Sequence, residues 1–144
     1  MKEIHPLKRK SIKPSSSTIR GMLPGPQFRA LDAAMQSLRS AGMRLEWQWK
    51  SKSIGWVCVG MLEDIGVCEL RPTQEPLIGV IVMTHEQKAR ALSEESIINV
   101  YKAVLRIPIE ETKNGVLYEF VLESTEQRAL FSEFVESLET VLVN

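Results

Sequence analysis

Two cysteines and two histidines in 144 residues exclude most chemistry that depends on clustered sulfur or imidazole. No Cys-x-x-Cys or His-x-x-x-His pair occurs, and His5 and His85 have no partner at ligand spacing, so no metal site is expected. The eight glycines are scattered singly, which leaves no phosphate-cradling loop of the Walker or dinucleotide kind, and Gly-x-Ser-x-Gly is absent. Long apolar runs are missing too. The longest, Leu77 to Met83, has seven residues, whereas a membrane-spanning helix needs about 20. Residues 1–17 are basic and hold no apolar stretch of the kind a secretory signal requires, and no Asn-x-Ser/Thr acceptor occurs. Two cysteines are also too few for a disulfide scaffold. The expectation is a cytoplasmic protein with reduced thiols, no membrane partner and no cofactor. An excess of charge is lacking as well: 18 Lys and Arg balance 18 Asp and Glu, so no global field steers the chain toward nucleic acid. No residue is named as catalytic. Glu110, Glu111, Glu119 and Glu123 read as solvated strand and turn positions.

What is present is the make-up of an ordinary globular domain, 44% hydrophobic and 25% charged. Charge is unevenly placed along it. Residues 1–21 carry Lys2, Lys8, Arg9, Lys10, Lys13 and Arg20 against a single Glu3, a net of +5. With Pro6, Pro14 and a run of three serines, they read as a loosely ordered arm preceding one α+β domain over 22–144. Residues 110–144 carry eight Glu against Lys113 and Arg128, a net of −6, so the arm has an acidic counterpart within the chain.

Period and punctuation predict the elements. Pro26 suits the first turn of a helix, Phe28, Leu31, Met35 and Leu38 form one stripe, and Gly42 supplies the left-handed cap. Leu45 to Lys50 alternates apolar and polar residues, as a strand with one solvated face does. Ile54–Leu62, Ile65–Arg71 and Leu77–Met83 follow after short turns, which makes an antiparallel meander of four strands. Thr84 with Gln87 matches a capping box opening a short helix through Leu92, and Ser93 caps a second from Glu94 to about Val104. Arg106–Glu111 and Val116–Glu123 flank Asn114-Gly115, a strong hairpin signal. Ser124 with Gln127 is another capping box, and Leu130, Phe131, Phe134, Val135, Leu138, Val141 and Leu142 share one face of the last helix. The fold class is α+β: an antiparallel sheet of about six strands, meander plus C-terminal hairpin, with the N- and C-terminal helices packed mainly on one face.

Three features are candidates for function. Trp47 and Trp49 share one strand face and Trp56 follows on the next strand, so the three rings can line a ligand pocket, form the heart of an interface, or serve as core. Lys8, Arg9, Lys10 and Lys13 form a possible anion-binding arm, but no aromatic residues interleave with them as in single-strand nucleic-acid binders. Cys58 and Cys68 face each other if Leu62–Asp64 is a three-residue loop; the simpler reading is two small buried apolar residues.

The segments Leu45-Glu46-Trp47-Gln48-Trp49 and Gly55-Trp56, with Met83-Thr84-His85-Glu86-Gln87-Lys88-Ala89 and Leu105-Arg106-Ile107-Pro108-Ile109, resemble a family of short bacterial proteins. It is the uncharacterised family called domain of unknown function 3788, related to the YdhG-like α+β domains. The resemblance covers about residues 26–141 and departs from the family's aromatic-rich meander at Cys68-Glu69-Leu70-Arg71-Pro72. It implies the fold and brings no activity or catalytic residues. The order of elements alone is also similar to the type III secretion chaperone fold, whose members are small dimers that bind an extended segment of a client. The expected function is therefore a non-enzymatic binding or protein-interaction module, with a homodimer as the expected assembly. The alternatives are a small-molecule-binding domain or enzyme with a pocket at Trp47, Trp49 and Trp56, and a nucleic-acid-associated protein acting through the basic arm.

Overall fold

A computed structural model of the chain describes residues 6–15, 18–63, 65–72, 77–87, 89, 109–113 and 115–142. Helix α1 spans Gly25–Ser40, with Pro26 in its first turn. Ala30, Leu31, Ala34, Met35 and Leu38 form its buried stripe. The helix stops at Gly42, whose φ of +84° lies where a side chain would be strained. The Gly42 amide donates to the Arg39 carbonyl at 3.0 Å and the Met43 amide to the Leu38 carbonyl at 3.0 Å, the paired bonds of a Schellman ending. Met43 is buried, so the reversal also delivers a core residue and starts the first strand.

Six strands follow: β1 Arg44–Ser51, β2 Gly55–Leu62, β3 Ile65–Arg71, β4 Ile78–Met83, β5 Ile109–Thr112 and β6 Gly115–Val121. Every pairing is antiparallel, and the sheet order is β1-β2-β3-β4-β6-β5. The C-terminal hairpin is thus laid down in reverse, with its second strand against the meander and its first on the edge. Helix α2, Thr125–Leu142, closes the chain of elements. This is the α+β architecture expected from the sequence.

Register sets the two faces apart. Trp56 and Cys58 of β2, Cys68 and Leu70 of β3, Ile81 and Met83 of β4, and Val116, Tyr118 and Phe120 of β6 join one core cluster with residues of α1 and α2. Phe120 meets Phe131 of α2 edge-on at 5.3 Å between centroids, and Tyr118 meets Phe134 at 6.3 Å. Gly79 makes room for this contact, since a Cβ there would lie 3.1 Å from the Phe131 ring. The helices touch each other as well, through a 2.9 Å hydrogen bond between the Ser37 and Ser132 hydroxyls. Across the opposite face runs a register row Glu46–Val59–Glu69–Val80–Glu119, acidic and apolar by turns.

Several expectations are revised by packing. Of the segment read as a loosely ordered arm, Leu7 and Ile19 are fully buried members of the core, and Pro14 is buried too. Residues Pro6–Lys8 and Ile19–Met22 form single 3-10 turns. The Leu7 carbonyl lies where a Cβ on Gly55 would stand, so Gly55 (φ +83°) lets the segment lie directly on β2. Leu7 and Ile19, separated by a basic and serine-rich stretch, leave no periodic signal, yet each fills a core position.

The cysteines do not face each other. Leu62 pairs with Ile65, a two-residue loop, and a bulge between Gly60 and Met61 moves the register again, so Cys58 lies opposite Leu70 and Cys68 opposite Gly60. Both thiols are free and buried. In the last hairpin Thr112 pairs with Gly115, which makes the glycine the first residue of β6 and not a loop position. A Cβ on it would run into the Met83 carbonyl. The Thr84 capping box forms in both directions: the Thr84 amide donates to Gln87 Oε1 at 2.7 Å and the Gln87 amide to Thr84 Oγ1 at 3.1 Å. Beyond Gln87 the helices expected through Leu92 and over Glu94–Val104 lie outside the described residues, Ala89 apart. Among the described residues no helix is long and apolar enough to cross a membrane.

Candidate functional site

Strand β1 is the long edge of the sheet. It has eight residues, against four on the opposite edge strand β5. Its inner side bonds to β2 along its length. Among the described residues no backbone hydrogen bond from any other segment reaches it, and its outward N–H and C=O groups find no partner there. An edge of this kind is a template for another strand. Why the sequence folds so is plain from its period: odd positions Leu45, Trp47 and Trp49 pack against the core, while Arg44, Gln48 and Lys50 are exposed on the opposite face.

The three tryptophans come together on the core face, with different exposures. Trp49 lies opposite Trp56 and Trp47 opposite Cys58. Trp49 and Trp56 meet edge to face, 5.7 Å apart at 73°. Trp56 is 8% exposed, and its indole Nε1 donates to the Arg9 carbonyl at 2.9 Å, so its polar end is satisfied within the fold. Trp47 and Trp49 stay half-buried, one flank on the core and one at the sheet edge. They are the large apolar surface that lies beside the unpaired backbone.

Of the basic residues singled out, Lys8 is half-buried and Arg9, Lys10 and Lys13 are exposed. The Arg9 carbonyl also accepts from the Ile12 amide at 3.1 Å, which bends the chain so that Lys10 sits in a tight turn. Glu110, Glu111 and Glu123 are exposed and Glu119 is half-buried. Among the described residues no group of three or more His, Cys, Asp or Glu could hold a metal ion.

An ion cluster on the opposite face was missed in the sequence. Glu69, its side chain 15% exposed, lies 3.3 Å from Lys50 Nζ and 2.5 Å from Arg71 Nε. The Lys50 end of this bridge comes from a bulge, because the register slips between Trp49 and Ser51. Glu69 two positions before Arg71 in a mostly apolar strand was the available signal, but the third member, Lys50 two strands away, was not. The three side chains border a cavity of about 240 Å³ whose floor is Val59, Val80 and Leu117. A larger hollow of about 780 Å³, lined by Pro24, Pro26, Arg29, Ala33, Glu123 and Arg128, lies where α1 begins near the turn into α2. Neither cavity includes a tryptophan.

The thiols are unreactive by environment. Burial pushes the Cys58 thiol up to about 12, with Arg39 pulling weakly the other way. Burial does the same to Cys68, also to about 12. The Cys68 thiol instead donates to the Met43 thioether at 3.7 Å. Thiols held protonated are poor nucleophiles and poor metal ligands.

No family model matches the chain, and no curated protein or solved structure does so either.

Proposed function

We propose that the chain is a non-catalytic protein-interaction module that engages its partner along the outer edge of β1. The observation that carries this reading is the conjunction of an eight-residue edge strand, whose outward backbone groups take no partner among the described residues, with two half-buried tryptophans on the same strand. Strand addition supplies affinity through main-chain hydrogen bonds, and side-chain contacts on the two faces supply selectivity. The absence of a recognised nucleophile-and-base pattern in the sequence and the protonated state of both thiols are consistent with a role that needs no reaction. A second reading, a small-molecule site, is favoured by the cavity bordered by Lys50, Glu69 and Arg71, where a polar ligand would meet charges of both signs over an apolar floor.

The test places a photoactivatable residue at Gln48, exposed on β1, and in a control at Glu136, exposed on α2. Both proteins are irradiated in extract of the source cells. The interaction reading expects a discrete cross-linked species from position 48 and none from 136. No adduct at 48, together with a small-molecule adduct in native mass spectrometry, replaces it with the second reading.

A further inference from the structure

We propose that the partner of the β1 edge is a second copy of this chain, paired antiparallel about Gln48 so that two six-stranded sheets become one. This rests on the interaction reading above and commits it to an occupant.

Charged residues on an edge strand normally block pairing, and Arg44, Glu46 and Lys50 would do so against an arbitrary strand. Against a copy of itself the outcome depends on register. A two-fold axis at Glu46 places that carboxylate against its own copy. An axis at Trp47 places Arg44 against Lys50, like against like. An axis at Gln48 places Glu46 opposite Lys50 twice, Trp47 opposite Trp49 twice, and the uncharged Gln48 opposite itself. Opposite charges and aromatic pairs directly across a ladder stabilise it, and like charges destabilise it. Of these three central registers only the last sets no like charges against each other within the strand: Arg44 falls opposite Lys52, in the exposed turn beyond its end, and keeps Glu46 of its own chain at 3.6 Å.

The side-chain directions agree with this register. All three axes fall on a residue, so odd positions meet odd ones and the core faces of both sheets stay on one side. The half-buried flanks of Trp47 and Trp49 then close on the same rings of the other copy. Lys50, already 3.3 Å from Glu69 of its own chain, would stand between that carboxylate and Glu46 of the second copy. A formal net charge of zero leaves no long-range repulsion to oppose the meeting of two copies. The other edge, β5, has four residues, two of them Glu110 and Glu111, and offers no comparable self-complementary row.

The experiment is a charge exchange read by light scattering after size exclusion, with circular dichroism to show that each variant is folded. Wild type is expected as a dimer. Glu46→Lys alone and Lys50→Glu alone each create two like-charge pairs and should weaken self-association at least about tenfold. Mixed together, the two variants restore both attractive pairs and should form a heterodimer. Gln48→Cys should cross-link to itself under mild oxidation, while Glu136→Cys should not; Cys58 and Cys68 are buried and do not interfere. This cross-link keeps the test decisive should Lys50→Glu, which sets a carboxylate beside Glu69, fail to fold. A monomeric wild type without the Gln48→Cys cross-link overturns the self-pairing, as does a dimer indifferent to both charge reversals. The two readings part in the photo-cross-linking: a different protein captured at position 48 ends this inference and leaves the interaction module standing, whereas no capture at all ends both.

Discussion

Leu7→Ala measures whether the basic N-terminal segment belongs to the folded core. Leu7 is fully buried, its carbonyl lies against Gly55, and two residues later the Arg9 carbonyl holds the Trp56 indole. Removing its three outer carbons costs about 2.4 kcal/mol in transfer alone, at about 0.8 kcal/mol per methylene. The unfilled space raises the total into the roughly 2–5 kcal/mol range of buried leucine truncations. With an unfolding entropy of about 2.1 cal/mol/K per residue, 144 residues give about 0.3 kcal/mol/K, so 3 kcal/mol is a fall of about 10 °C in Tm. Urea unfolding followed by tryptophan emission reads both the stability and the Trp56 environment, whose native spectrum should move to the red as the segment lifts. Lys10→Ala, at an exposed position, should stay within about 0.5 kcal/mol of wild type. A Leu7→Ala protein that melts with the wild type and keeps its emission maximum would refute the packing argument and restore the loose arm.

Gly60→Ala should destabilise by about 1–3 kcal/mol in the same urea assay, because its Cβ would stand 2.8 Å from the Cys68 sulfur and 2.9 Å from the Met43 sulfur. Gly115→Ala should unfold at lower urea than Gly21→Ala, since the first drives a methyl group into the Met83 carbonyl and the second meets nothing within 4 Å. The thiols make stability depend on alkaline pH. Their folded values are raised from 9.0 to about 12, so the unfolded chain loses these protons first, and stability that is full below pH 9 declines as pH rises toward 12. Equilibrium unfolding between pH 8 and 11 should show that decline, and a Cys58→Ala/Cys68→Ala protein should show a shallower one. Iodoacetamide at pH 8 should label neither thiol in the native protein and both in guanidinium.

Local signals were legible wherever a short stretch decides its own geometry. The stripe of α1, the glycine that ends it and the alternation of β1 each follow from residues within a turn or two of one another. The capping boxes show where that logic stops. Thr84 and Gln87 exchange both bonds, whereas the Ser124 amide already donates to the Val121 carbonyl at 3.1 Å. Gln127 therefore turns its oxygen to the Val121 amide at 2.6 Å, and only half of the expected box forms. Bulges were out of reach for a related reason. Each adds one residue to a ladder, and one residue is enough to separate Cys58 from Cys68. The core position of Leu7 depends on contact with β2 and that of the Ile19 turn on contact with α1, which no window of sequence contains. For the site, the tryptophans stood out on residue type alone. Which of them would be sealed by Arg9 and which would reach the edge was set by strand order.

The reversed hairpin has a consequence for the order in which the chain is made. Strands β1 to β4 are complete when residue 83 has been added, but the neighbour that covers β4 is β6, and Ile78 waits for Val121. At about 5–20 residues per second those 43 positions correspond to some 2–9 seconds of synthesis. Throughout that interval β4, with Ile78, Val80, Ile81 and Met83, is an apolar edge without its partner. The nascent protein passes through a stage with an open strand on either side of its meander, the charged β1 on one and the apolar β4 on the other. Among the described residues only the second is closed by the chain itself, so β4 is the strand a holding chaperone would have to cover during that interval.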